Sequence, residues 1–212
     1  MKKSIRILFA AVALCLVNFS FADTPNDTTG TFAAPSNQFY LGADAGLGTT
    51  NCDNCDIQGT LPSFTSSATA NTNFAGTVFA GFKPNPYLAV EIGYGVLPSL
   101  LTQINATDYY ASLTHYYGAV VLNIPTDNGP NLFAKVGYDA VSASQQIINA
   151  DGTVSTSSQT LNGPFLAAGF MSNFAPNTFI TFAFNQILAT PKNSSDPLSI
   201  TYGTIGIMYL FG

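Results

Sequence analysis

Few residues in this chain are of a type that does chemistry, and their spacing limits what they can do together. Cys52-Asp53-Asn54-Cys55 is a Cys-x-x-Cys pair. Such a pair is a redox centre beside a βαβ unit, or half of a metal site when further thiols or imidazoles are at hand. The chain offers one other cysteine, Cys15, and one histidine, His115, so the donor set for a metal is short. A local disulfide between Cys52 and Cys55 is the favoured reading, with an unpaired couple as the alternative. A ring that small shapes a loop more than it stabilises a fold. His115 has Ser112 and Asp108 near it in sequence. A hydroxyl nucleophile needs its base within hydrogen-bond reach, and the base needs a third group to orient it. In an extended strand, Ser112 falls on the opposite face from His115. His115 is therefore read as a strand-end residue, and no catalytic residue is assigned. No Gly-x-Ser-x-Gly, phosphate-cradling loop or His-rich motif occurs, so no cofactor or metal is expected.

The remaining candidates are four charges set in apolar or glycine-rich sequence: Asp44, Glu91, Lys135 and Asp139. A charge taken out of water needs an opposite partner. The elements that carry these residues must therefore bring them together.

Composition says what those elements face. Of 212 residues, 8% are charged, against about 25% in an ordinary soluble domain. Hydrophobic residues make up 47% and aromatics 13%, with 17 Phe, 10 Tyr and no Trp. This is too apolar for disorder, and a lipid-facing surface accounts for the scarcity of charge. The length suits a single domain.

The N-terminus reads as an export signal. Lys2, Lys3 and Arg6 precede an apolar run from Ile7 to Val17, and Ser20-Phe21-Ala22 fits a small-x-small cleavage site. We place the cut after Ala22, with an uncleaved anchor as the alternative. A lipoprotein is disfavoured because Leu14 before Cys15 is bulky. Residues 1–22 are thus a signal peptide, 23–37 a polar linker, and 38–212 the folded domain. Beyond Ala22 three basic residues (Lys83, Lys135, Lys192) face eleven acidic ones, a formal charge of −8. That balance excludes a nucleic-acid partner and argues against polyanion binding.

No later stretch reaches the ~18 apolar residues of a spanning helix. A chain that spans with strands must close them, because unpaired backbone groups are too costly in hydrocarbon. Eight segments of period-two character fit: Gln38–Thr49, Asn73–Phe82, Tyr87–Gly95, about Leu113–Ile124, Asn131–Asp139, about Leu161–Ser172, Thr178–Leu188 and Ser199–Phe211. Phe39, Leu41, Ala43, Ala45 and Leu47 share one face of the first, with Tyr40 and Asp44 on the other. In the third, Leu88, Val90, Ile92 and Tyr94 point outward and Glu91 inward. In the fifth, Leu132, Ala134, Val136 and Tyr138 point outward and Lys135 inward. Tyr117–Val121 is apolar on both faces, which leaves its parity weakly fixed.

Connections alternate in length. Lys83–Pro86, Pro125–Pro130 and Asn173–Asn177 are short, while Thr50–Thr72, Val96–Ser112, Ala140–Thr160 and Ala189–Leu198 are long and polar. Outer-membrane barrels have short periplasmic turns and long extracellular loops. Phe39, Tyr40, Phe82, Tyr87, Tyr94, Tyr138, Phe179 and Phe211 are candidates for aromatic girdles. The competing architecture is a lipocalin-like soluble barrel, apolar inside and charged outside. Here the strand charges lie opposite the apolar faces, which favours an all-β, eight-stranded, antiparallel up-and-down transmembrane β-barrel. Within such a barrel the four charges are either an electrostatic gate or a network filling the core. The second is favoured because eight strands leave an interior just wide enough for side chains.

Phe39-Tyr40-Leu41-Gly42, Ala80-Gly81-Phe82, Asn85-Pro86-Tyr87-Leu88-Ala89-Val90-Glu91-Ile92-Gly93-Tyr94 and Leu132-Phe133-Ala134-Lys135-Val136-Gly137-Tyr138 resemble the OmpA-type and opacity-protein-like outer-membrane barrel domains. The resemblance covers Gln38 to Gly212 and rests on the order and spacing of degenerate motifs. It implies residence among the lipids of a Gram-negative outer membrane. It also implies insertion by the barrel-assembly machinery, which reads a closing aromatic signal, here Tyr209 and Phe211; Gly212 after Phe211 departs from the pattern. The function expected is a structural or surface-interaction, adhesin-like role, with host or phage surface molecules as partners. The alternatives are a narrow pore for small solutes and, less favoured, an outer-membrane lipid-modifying enzyme.

Overall fold

The computed structural model describes residues 37–51, 73–104, 107–126, 130–148, 152–190 and 198–211. The cleavage site at Ala22, the linker, Cys52, Cys55 and Lys192 lie outside them.

Eight strands follow one another: β1 (Gln38–Asn51), β2 (Asn73–Asn85), β3 (Leu88–Ile104), β4 (Thr107–Ile124), β5 (Asn131–Ile148), β6 (Val154–Ala175), β7 (Thr178–Ala189) and β8 (Leu198–Phe211). Each pairs antiparallel with its neighbour in sequence, and β8 returns to β1 from Phe39↔Phe211 to Asn51↔Ser199. Closure leaves no edge within the wall, as hydrocarbon demands. The expected facing holds. Leu41, Leu47, Val78, Val90, Ile92, Tyr116, Phe184 and Ile205 are exposed on the outside, while Glu91, Lys135 and Asp139 are buried within. β4 takes the register with Tyr116, Gly118, Leu122 and Ile124 outward. Its neighbours decide this, because Tyr117 is directly opposite Gly93 and Asp139.

Two short turns fall at the ends of the predicted segments, at Pro86-Tyr87 and Pro176-Asn177, because β2 runs on through Lys83–Asn85 and β6 through Ala175. Asn85 accepts the N–H groups of Tyr87 and Leu88 at 2.9 Å each. At the β6–β7 turn Pro176 presets one dihedral, and Asn177 takes the left-handed one with φ 59°, which Asn tolerates better than most residues.

Two expectations need correction. The polar stretches 96–112 and 140–160 were expected as loops, yet β3–β4 pairing continues to Ile104↔Thr107 and β5–β6 pairing to Ile148↔Val154. Backbone pairing continues whatever the side chains, so the apolar-to-polar change does not mark the strand end. β3 to β6 run 17, 18, 18 and 22 residues, while β1, β2, β7 and β8 run 14, 13, 12 and 14. At ~3.3 Å per residue, one wall therefore rises roughly 10–25 Å further along its strands than the other. Second, Tyr40 and Phe179 are not girdle residues. Both are buried in the lumen, at 6% and 8% exposure, because each lies one residue out of phase with the outward series.

The interior is less polar than a lumen is expected to be. Two apolar clusters fill it. One includes Leu97, Leu113, Val141, Leu161, Ile187 and Ile200, toward the long connections. The other includes Tyr40, Phe79, Val121, Phe133, Phe179 and Met208, toward the short turns. Inward glycines make room for the rings. A Cβ on Gly42 would collide with the Phe79 ring, one on Gly81 with Tyr40, and one on Gly93 with Tyr117. Each large ring thus lies across a neighbouring strand where no side chain competes.

Candidate functional site

The polar residues of the interior form a band across the middle of the barrel, in two units. The first is centred on Glu91 of β3. Tyr40 on β1 donates its hydroxyl to Oε2 at 2.9 Å. Tyr117 on β4 donates to Oε1 at 2.7 Å, and Lys135 on β5 donates its ammonium to the same oxygen at 2.6 Å. Lys135 also sits 4.7 Å from the Phe79 ring centre and 5.5 Å from that of Phe133. Cation–π attraction of this kind strengthens where water is excluded. Both carboxylate oxygens are thus occupied, by donors from three strands. A buried ion pair holds its place when further hydrogen bonds satisfy it in this way. Three donors and a neutralising ammonium leave the carboxylate little capacity for a passing ion, which weighs against its use as a gate.

The second unit surrounds His115. The sequence placed this residue at a strand end. It is instead fully buried, with Nδ1 2.8 Å from Asp139 Oδ2. Its Nε2 lies 3.5 Å from the Thr77 hydroxyl, at the limit of a hydrogen bond. The strand does not end at residue 113 but runs back to Thr107, which carries His115 into the middle of the wall. Tyr117 stacks on the imidazole at 5.7 Å and Tyr202 meets it edge-on at 6.3 Å. Asp44 is directly opposite Thr77 across β1–β2. The four predicted charges therefore do not form one network. Glu91 pairs with Lys135, Asp139 pairs with His115, and Asp44 keeps its Oδ1 without a hydrogen-bond partner.

Carboxylate, imidazole and hydroxyl in a row have the order of a nucleophile-activating relay. Its use as one fails on access. Asp139 and His115 are fully buried and Thr77 is 5% exposed, with the aliphatic cluster on one side and the Glu91 unit on the other. Ser112, the nucleophile weighed from sequence, donates to the Ser144 carbonyl at 3.5 Å. Among the described residues no group of three His, Cys, Asp or Glu could hold a metal.

Tyr40, Tyr117 and Thr77 were missed as partners. Strand parity was the available signal, since Tyr40 alternates with Asp44, and Tyr117 is two residues from His115. Which inward residues meet across the barrel depends on register, which alternation does not encode. Tyr209 and Phe211 of the closing signal point outward, half exposed, with ring centres 4.9 Å apart. Toward the short turns, the lumen retains a cavity of about 50 Å³ bounded by Lys83, Glu91, Phe133 and Met208, among others.

The comparisons agree with this architecture. A major outer membrane protein from Thermus thermophilus superposes with a TM-score of 0.60 at 12% identity, over 84% of this chain and 100% of that one. Neisserial surface protein A gives 0.56 at 16% identity, over 82% and 97%. Ail, the attachment invasion locus protein of Yersinia pestis, in complex with the heparin analogue sucrose octasulfate, gives 0.55 at 12% identity, over 84% and 100%. At these identities the likeness is one of fold. No curated protein matches the chain by sequence. The model of the outer membrane protein beta-barrel domain matches residues 9–211, and with its eight-stranded closed wall and apolar exterior the chain belongs to that family of the Gram-negative outer membrane.

Proposed function

We propose that this protein is a closed outer-membrane barrel whose role is structural and surface-interactive, exercised through the tall β3–β6 wall. The observation that carries the reading is the contrast between a lumen packed shut on its long-connection side and four strands that outrun the other four. Val154, Ser155, Thr156 and Ser158 near the tip of that wall are exposed and uncharged. Two of the similar folds bear names that speak of attachment and of the bacterial surface, which is consistent with such a role. A sulfated polyanion is not the expected partner. Of the three lysines beyond Ala22, Lys135 is inside the barrel and Lys83 at the short-turn end, so only Lys192 remains for the outer connections. Host or phage surface molecules recognised through polar, uncharged contacts fit better. Shortening the β5–β6 arm by removing residues 144–157 should lower attachment to the recognised surface at least tenfold, with the folded barrel still resisting SDS in a gel-shift assay. Undiminished attachment would remove the adhesin reading.

The pore reading gains no support from a lumen closed by aliphatic side chains, and the sealed His115 unit gives none to the enzyme reading. We read the Glu91 and His115 units as packing devices. Export by cleavage after Ala22, a Cys52–Cys55 disulfide, and insertion by the barrel-assembly machinery reading Tyr209 and Phe211 belong to the same proposal. N-terminal sequencing and thiol titration of the secreted protein test the first two. A Phe211→Ala variant tests the third, with its expected outcome being accumulation of unfolded protein in the periplasm.

A further inference from the structure

We propose that the lumen cavity at the short-turn end is a binding site, open to the periplasm, for a small anion with a short apolar tail. This goes beyond the surface role and does not depend on it. The cavity measures about 50 Å³. A water needs roughly 10–15 Å³ by the same measure, so there is room for about four small heavy atoms but not for a drug-sized molecule, whose pockets run to about 300 Å³ or more.

The lining sets the chemistry. Val121, Phe133, Phe179, Met171, Met208 and Leu210 make the walls apolar. Asn123 and Thr181 add polar groups to the lining, and an alkyl tail laid along its larger apolar part gains by leaving solvent. Two thioethers let the walls adjust, since methionine is unbranched and soft.

The charges choose the head group. Lys83 borders the cavity at the barrel mouth and is half-buried. Among the described residues no carboxylate lies within 4.0 Å of it. Asn131, at the start of β5, also lines the cavity, its Oδ1 already accepting the Thr126 N–H at 3.1 Å, which leaves its NH₂ as a donor. Deeper in, Lys135 is committed to Glu91, and Glu91 to three donors. Asp44 borders the inner part of the cavity with Oδ1 unpartnered, and it repels an anion that goes deep. The head therefore stays at the mouth on Lys83 while the tail points inward along the apolar walls.

The test exploits a convenience of composition. Of three methionines, two, Met171 and Met208, line the cavity. Their ¹³C-labelled methyl resonances are followed in the full mature barrel in lipid nanodiscs, with pentanoate, 1-pentanol and pentylammonium as matched probes. Pentanoate should shift both resonances saturably, and each of the other two should bind at least tenfold more weakly. Lys83→Gln should lower pentanoate affinity at least tenfold, and Lys83→Arg should retain it. Ala183→Leu, which fills the cavity, should abolish the shifts. Equal binding of pentanol, a preference for pentylammonium, or linear unsaturable shifts with pentanoate would each overturn the assignment. The three-probe comparison on the unaltered protein stands even if a variant fails to fold.

Discussion

On the long-connection side of His115 the barrel is filled by Leu97, Leu113, Val141, Leu161, Ile187 and Ile200, each at most 4% exposed. On the short-turn side the interior instead holds the Glu91–Lys135 pair, two rings over the ammonium and a cavity of about 50 Å³. One half is sealed by dry packing and the other is held by a few charge-assisted bonds around spare volume. The difference separates closure from architecture. On the proposed reading the aliphatic half is what would keep solutes from crossing, and the polar half ties β1, β3, β4 and β5 together through a single carboxylate. A narrow barrel does not need a charged gate to be shut.

The sharpest way to break this contrast is Lys135→Met. It leaves Glu91 buried without its cation, and losing one member of a buried pair costs about 3–5 kcal/mol. Urea unfolding in lipid vesicles, read by gel shift because the chain lacks Trp, should show that loss. Glu91→Gln with Lys135→Met should recover more than half of it; a double variant as unstable as the single would mean that the ion pair is not the source.

Leu161→Ala in the aliphatic half should cost roughly 3 kcal/mol as a cavity forms. Combined with Leu113→Ser and Ile187→Ser it should open a steady conductance in planar bilayers, where the parent protein is expected to be silent. The matched change in the polar half, Phe133→Ala, should leave the barrel closed. Conductance from Phe133→Ala alone would reverse the assignment of the two halves.

Smaller effects follow from the fit of rings against glycines and from the His115 unit. Gly93→Ala puts a methyl where the Tyr117 ring lies, and overpacking of this kind costs about 1–3 kcal/mol. Gly118→Ala, on the outer face with open space around it, should change stability by less than about 0.5 kcal/mol. His115→Phe leaves Asp139, whose Oδ1 already lacks a partner, with no bond at Oδ2 either, a loss of about 1–3 kcal/mol. A further Asp139→Asn should return part of it.

Much of the wall was legible in the sequence. Leu41, Val78, Ile92, Phe184 and Ile207 recur at period two, and Lys83–Pro86 and Asn173–Asn177 carry turn chemistry, so strand count, facing and turn positions follow from local properties. Inward placement of Asp44, Glu91, Lys135 and Asp139 followed by the same counting. The heights of the strands were not legible. Ser142–Ile148 and Val154–Ser158 lose the apolar alternation yet keep their pairing, because the ladder is made by backbone groups common to every residue.

By itself, then, the sequence settled a closed apolar-outside barrel, since charge this scarce and strands this regular have no other stable arrangement in hydrocarbon. Only the tertiary structure decided that Glu91 takes three donors while His115 and Asp139 meet deep inside. Those contacts join residues up to 51 positions apart, and they depend on register and closure. Alternation along a single strand fixes which way a side chain points, but not what lies across the barrel from it.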